Sequence, residues 1–188
     1  MPACTRRLSV RAFLALALVA YAACARAELE VTLVDSAVVP EGLKLSAVID
    51  TQLNPRVEEA LNKGIALEIV IEVVLDEHRR IWWDPEISAW ELRRRLEYHA
   101  LSGQYLVSAL GSQPADRFFS LPLALKHFGT IKDLVLPLKE HIPPNGDYRL
   151  KMRVGLDIES LPAPLRPFAY TSPSWHLGSG WKKWKVGS

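Results

Sequence analysis

From Leu67 to Leu75 every odd position is apolar, and Glu68, Glu72 and Asp76 fall on the even positions between and after them. A period of two with one charged face predicts a half-buried strand of an antiparallel sheet over Ala66 to Asp76. The same alternation recurs along most of the chain. Glu28 to Asp35 puts Leu29, Val31 and Leu33 on one face. After the turn Val39-Pro40-Glu41-Gly42, Leu43, Leu45, Ala47 and Ile49 alternate with Lys44, Ser46 and Asp50. These two segments are predicted to form a hairpin. Beyond Glu77-His78 the chain resumes an extended run through Arg80-Ile81-Trp82-Trp83, which Asp84-Pro85 breaks.

Ala89 to Leu101 has a helix-forming composition, yet Trp90, Leu92, Leu96, Tyr98 and Ala100 all sit at even positions. That parity predicts a strand in which Arg94 alone points to the apolar side, through a register slip or toward a carboxylate at the sheet edge. Ser102-Gly103 turns the chain into a partner strand, Gln104 to Leu110. Further strands are expected over Asp133 to Leu138 and Tyr148 to Ile158. Pro173 to Val186 reads as a last strand or hairpin. Leu161 to Pro167 carries too many prolines for a regular element.

The helical period appears twice. Asn54-Pro55 opens a helix with Val57, Ala60 and Leu61 as its apolar stripe and Gly64 as its stop. Ser120 is expected to cap a second, Leu121 to Phe128, ended by Gly129. About eight strands and two short helices predict a mainly β fold, an antiparallel β-sandwich, with a half-open barrel as the alternative. One domain is expected over residues 28–188.

The first residues follow a different rule. Arg6, Arg7 and Arg11 precede the apolar run Ala12 to Cys24, and Ala25-Arg26-Ala27 fits the small-x-small pattern of a signal-peptidase site. This predicts a signal peptide cleaved after Ala27 and a periplasmic or secreted protein. The run is short for a bilayer span, which takes about 20 residues. Tyr21-Ala22-Ala23-Cys24 loosely resembles a lipobox, so a lipoprotein anchored through Cys24 is the less favoured alternative.

Cleavage changes the composition. Both cysteines of the chain, Cys4 and Cys24, would leave with the signal, and with them disulfide and thiolate chemistry. The whole chain has 23 basic and 21 acidic residues, a formal charge of +2. Arg6, Arg7, Arg11 and Arg26 leave and no acid does, so residues 28–188 carry −2. That balance gives no support to nucleic-acid binding.

The order of short motifs is specific. Leu53-Asn54-Pro55 with Ala60-Leu61-Asn62-Lys63-Gly64 is followed by Trp82-Trp83-Asp84 and by Leu96-Glu97-Tyr98-His99-Ala100-Leu101 with Gln104-Tyr105. Then come Phe119-Ser120-Leu121 with Ala124-Leu125, Leu156-Asp157 with Leu161-Pro162, and a closing Trp175 and Trp181. This series resembles the bacterial domain of unknown function 4390 family, exported proteins of proteobacteria. The resemblance implies export and hints at envelope signalling. It carries over no catalytic residue, ligand or cofactor.

Candidate chemistry is sparse. Six tryptophans, Trp82, Trp83, Trp90, Trp175, Trp181 and Trp184, suit either core packing or, where exposed, binding. Arg79, Arg80, Arg93, Arg94 and Arg95 suit a phosphate patch or cross-strand ion pairs. Trp181-Lys182-Lys183-Trp184-Lys185 reads as a lysine-protected edge strand, and leaves peripheral contact with a membrane open. The five histidines, His78, His99, His127, His141 and His176, show no metal-ligand spacing, and no cofactor motif is present. Asp76 with Glu77, and Asp157 with Glu159, are the paired carboxylates an envelope hydrolase would need. The expected function is a non-enzymatic envelope binding module that meets a protein or an apolar ligand through Arg80, Trp82 and Trp83. An envelope hydrolase and a lipidated accessory of a sensor system are the alternatives.

Overall fold

A computed structural model of the chain describes residues 29–79, 84–109, 114–144 and 146–187. The N-terminal segment, with Cys24 and Ala27, lies outside the described residues, and so do Arg80, Ile81, Trp82 and Trp83. The elements are β1 (Leu29–Val39), β2 (Gly42–Thr51), α1 (Pro55–Asn62), β3 (Leu67–Glu77), β4 (Glu86–His99), β5 (Gln104–Ala109), β6 (Asp116–Phe118), α2 (Leu121–Gly129), β7 (Thr130–Leu136), β8 (Tyr148–Leu156), α3 (Arg166–Thr171) and β9 (Lys182–Lys185). Short 3-10 turns occupy Ile158–Ser160 and Pro173–Trp175.

The strands form two antiparallel sheets, a small one in the order β1-β2-β7 and a large one in the order β6-β5-β4-β3-β8-β9. Buried residues from both sheets join in one hydrophobic cluster. The fold is a mainly β sandwich of separate sheets, and the barrel alternative falls. The alternation in the sequence places the core. Leu43, Leu45, Ala47 and Ile49 of β2 and Leu67, Ile69, Ile71, Val73 and Leu75 of β3 are all at most 3% exposed. Each large apolar side chain buried in this way contributes roughly 1.5–3 kcal/mol.

Local chemistry sets the first helix as expected. Asn54 Oδ1 accepts hydrogen bonds from the amides of Arg56 and Val57, both at 3.0 Å. Pro55 takes the first position, where a missing N–H costs nothing. Gly64, at φ +85°, supplies the left-handed conformation that ends the turn. Asn54 Nδ2 also donates to the Ser174 carbonyl, which fastens α1 to the C-terminal turns.

Several expectations are corrected. Nine strands are present among the described residues, in keeping with about eight, and three α-helices instead of the two expected. The third helix, α3, begins at the end of the proline-rich stretch, which it shares only through Arg166 and Pro167. Pro167 stands in its first turn, where proline is preorganised rather than disruptive. Ser120 occupies the N-cap position of α2, but its hydroxyl makes no capping bond. Gly129 is needed for close approach, not for a left-handed stop: a Cβ there would lie 2.1 Å from the Ile49 carbonyl oxygen. β7 begins at Thr130 rather than Asp133. Asp133, at φ +47°, sits where β2 and β7 shift register, held by Ser46 Oγ and by Lys44 at 2.9 Å. In β1 a bulge between Leu33 and Asp35 reverses the parity beyond Val34, so Ser36, at an even position, turns inward.

Candidate functional site: a cleft between the sheets

Arg94 is the residue that broke the pattern, and the structure explains it. The ladder runs without a break from Leu67↔Leu96 through Ile69↔Arg94 to Ile71↔Leu92, so no register slip occurs. No carboxylate bonds to it among the described residues, and Asp116 acts on its charge only from a distance. Arg94 Nη1 donates to the carbonyls of His127 (3.0 Å), Phe128 (2.6 Å) and Thr130 (2.7 Å). These oxygens belong to the last turn of α2 and its exit, where carbonyls lack intrahelical donors and the helix dipole is negative. Arg94 therefore clamps α2 to the large sheet. Burial pushes its pKa down, yet a guanidinium stays charged. Nε and Nη2 find no acceptor among the described residues.

Arg94 lines a cleft of about 280 Å³ between the two sheets. Ile71, Leu92, Ala109, Ile131 and Leu134 give it an apolar lining from β3, β4, β5 and β7. Its other charged members are Glu91, Arg93 and Lys132. Arg93 is committed to Glu91 (2.7 Å) and to Asp157. Lys132 is exposed and makes no ion pair among the described residues. The cleft thus joins an apolar lining to two cations with bonding capacity left.

Two further clefts differ in character. One of about 470 Å³ separates α1 from α3 over Trp175, with Phe168 at its lip and Arg56, Glu59 and Lys63 on its rim. Lys63 is bound to Glu59 at 2.6 Å. The other, about 180 Å³ beside the β1–β2 turn, is polar and contains exposed Glu41, Glu140 and His141.

The expected site residues Arg80, Trp82 and Trp83 lie outside the described residues, but the chain leading into and out of them is pinned. Asp84 accepts from the Arg79 amide (3.0 Å) and from His78 Nδ1 (3.1 Å), and Arg149 Nη1 lies 3.3 Å from its second oxygen. Arg149 Nη2 reaches His78 Nε2 at 3.0 Å. A guanidinium has no acceptor, so Nε2 supplies its lone pair and Nδ1 carries the proton toward Asp84. Both ring nitrogens are committed, which leaves this His–Asp pair no free base. The Arg79 amide, His78 and Arg149 together hold the Asp84 carboxyl below its ordinary 3.8. A depressed folded-state pKa stabilises above the unfolded value, and that stabilisation disappears as pH falls through the folded one. Asp84→Asn is expected to lower Tm at pH 7 and to leave it unchanged once acid has protonated the wild-type carboxyl. A Tm loss of equal size at both ends of a pH series would contradict this assignment.

The paired carboxylates do not meet as pairs. Asp76 is 2% exposed and bound to Lys151, while Glu77 pairs with Arg79 on the opposite face. Asp157 caps the 3-10 turn and binds Arg93. Glu159 holds Arg166 and the Tyr170 hydroxyl. None of the four lines the clefts described above. The outer face of β4 is an ion-pair ladder: Arg95 binds Glu68 and Glu97, both at 3.1 Å. Trp175 is buried, and Trp90 donates Nε1 to the Pro137 carbonyl at 2.9 Å, linking the large sheet to the exit of β7. Trp181 is 42% exposed, with the Arg153 guanidinium 4.8 Å from its ring centre.

A family model described as a domain of unknown function, DUF4390, matches residues 26–185. The chain belongs to the DUF4390 family. No curated protein and no solved structure matches it. The motif pieces that resembled DUF4390 mostly occupy structural positions in this chain. Asn54 and Asp157 are caps, and Leu61, Leu96, Leu161 and Trp175 are core. Among the described residues no helix is long and apolar enough to cross a membrane. Nor do three His, Cys, Asp or Glu side chains converge there as a metal site.

The sequence marked Arg94 as irregular and grouped it with the other arginines as a phosphate patch or ion-pair set, not with a cleft between the sheets. Its signal was the broken parity. Lys132 carried no signal, because only the packing of β7 against β4 brings it to the cleft.

Proposed function

We propose that this DUF4390 chain is a non-enzymatic binding module of the bacterial envelope. Its ligand is a small amphipathic acid held between the sheets. One observation carries the reading: an arginine on the core side of a sheet, with part of its fork unspent, lines an apolar cleft. The unspent nitrogens of Arg94 are not sealed from solvent, so a ligand carboxylate would replace water at them. A guanidinium edge fits a carboxylate in two parallel bonds, which a hydroxyl cannot reproduce. Ile71, Leu92, Ile131 and Leu134 receive the apolar body, and Arg94 with Lys132 receives the head. Ligand pockets commonly measure about 300–1,000 Å³, so this cleft suits only a short chain. Export rests on Arg6 to Ala27, and protein recovered from cells is expected to begin at Glu28.

Calorimetric titration with decanoate and decanol tests the ligand class. Decanoate is expected to bind at least about tenfold more tightly than decanol, as a charge-assisted pair implies. Ala109→Trp, at the exposed cross-strand neighbour of Arg94, should block the cleft and abolish binding, and hydrogen exchange of Phe128 to Ile131 in that variant reports whether the clamp is disturbed as well. Equal affinity for the two probes, or full binding by Ala109→Trp, would discard the reading.

A further inference from the structure

The last two strands of the large sheet are paired against electrostatic sense. In the β8–β9 ladder Lys151 stands directly opposite Lys183, and Arg149 opposite Lys185. Like charges facing across a strand pair destabilise a sheet. Lysine on an edge strand discourages strand addition, which accounts for lysine on β9 but not for bases across from it on β8. Nor are nearby acids shared out evenly. Glu72 binds Arg153 (2.7 Å), Asp76 binds Lys151, and Asp84 meets Arg149, so these acids all serve β8. On β9, Lys185 lies 3.5 Å from Asp147, while Lys182 and Lys183 are exposed and make no ion pair among the described residues. Exposed Trp181 adjoins them, braced under Arg153.

We infer that the β8–β9 edge docks on an anionic phospholipid bilayer. The lysines meet headgroup phosphates, and Trp181 enters the interfacial layer, where tryptophan is favoured. The pairing that costs the sheet stability in water becomes favourable against a surface of opposite sign. Residues 28–188 carry a net −2, so the attraction is local to this edge and orients the domain. The lysines that attract phosphate also keep an added strand off β9, which favours a bilayer over a protein strand as the occupant. This surface is separate from the inter-sheet cleft, and the inference stands without the ligand reading.

The test is co-sedimentation of the full chain with vesicles of phosphatidylglycerol and phosphatidylethanolamine, against vesicles of phosphatidylcholine. Binding is expected on the anionic vesicles only, and to weaken with salt. Lys183→Glu is expected to reduce it about tenfold or more. The same variant places an acid opposite Lys151, so its Tm should rise by roughly 2 °C. A lost function with a gained Tm separates docking from damage to the fold. Lys139→Glu makes the same charge change away from the edge and should leave binding intact. The inference is overturned if wild type ignores anionic vesicles or binds phosphatidylcholine equally. It is also overturned if Lys183→Glu binds as wild type does, which would place any attraction elsewhere in the chain, or if Lys139→Glu loses as much.

Discussion

Lys151→Met is expected to destabilise the fold by roughly 3–5 kcal/mol, the range for breaking a buried ion pair by removing one partner. Asp76 is the cause. Its side chain is 2% exposed on the outer face of β3, a strand flanked on both sides by β4 and β8. Removing the ammonium leaves a carboxylate in a site that water scarcely reaches. Methionine keeps most of the stem volume, so packing loss is a minor part of the effect. Urea unfolding at pH 7 should show a lower midpoint with an unchanged slope. The double variant Asp76→Leu/Lys151→Met should recover most of the loss, because the pair itself contributes little net stability beyond neutralising its own burial. A single-variant cost below about 1 kcal/mol would mean that Arg149, the register neighbour of Asp76, takes over the charge.

Arg94→Ala is the second large effect, with an expected loss of about 2–4 kcal/mol. Three carbonyls at the end of α2 lose their shared donor, and the helix loses the cation at its negative end. The damage should be local first. Hydrogen exchange of the amides from Phe128 to Ile131 is expected to accelerate before global unfolding. Arg94→Lys should recover only part of the stability, since the shorter lysine stem ends its ammonium short of the place where Nη1 meets the three carbonyls. If Arg94→Ala left exchange in α2 unchanged, the clamp would be incidental.

The two effects have different standing in the sequence. β2, β3, β8 and α1 were legible because their cause is local. Period-two apolar runs and a capped proline specify their own face and ends. The charged face of β3 misled, since period alone does not distinguish a solvated acid from one covered by its neighbours. Asp76 is buried where the β3–β4 ladder shifts register, Lys151 of β8 binds it and Arg149 stands opposite, whereas Glu72, on the same face between the same strands, stays part-exposed. α3 was missed because a proline count ignores position, and Pro167 lies in the one turn of a helix that tolerates it. Arg94 was visible as an irregularity, but its partners come from residues 33 or more positions away. No local pattern contains that information.

The sequence alone determined the mainly β character, the hairpins, the capped first helix, the inward face of β2, β3 and β8 and the family. These follow from side-chain alternation and backbone chemistry within a few residues. The tertiary structure alone decided that β3 is central, that Arg94 anchors α2 beside an open cleft, and that lysines on β8 and β9 face one another. Those depend on which strands become neighbours, and strand order is set by the collective burial of the whole core rather than by any segment within it.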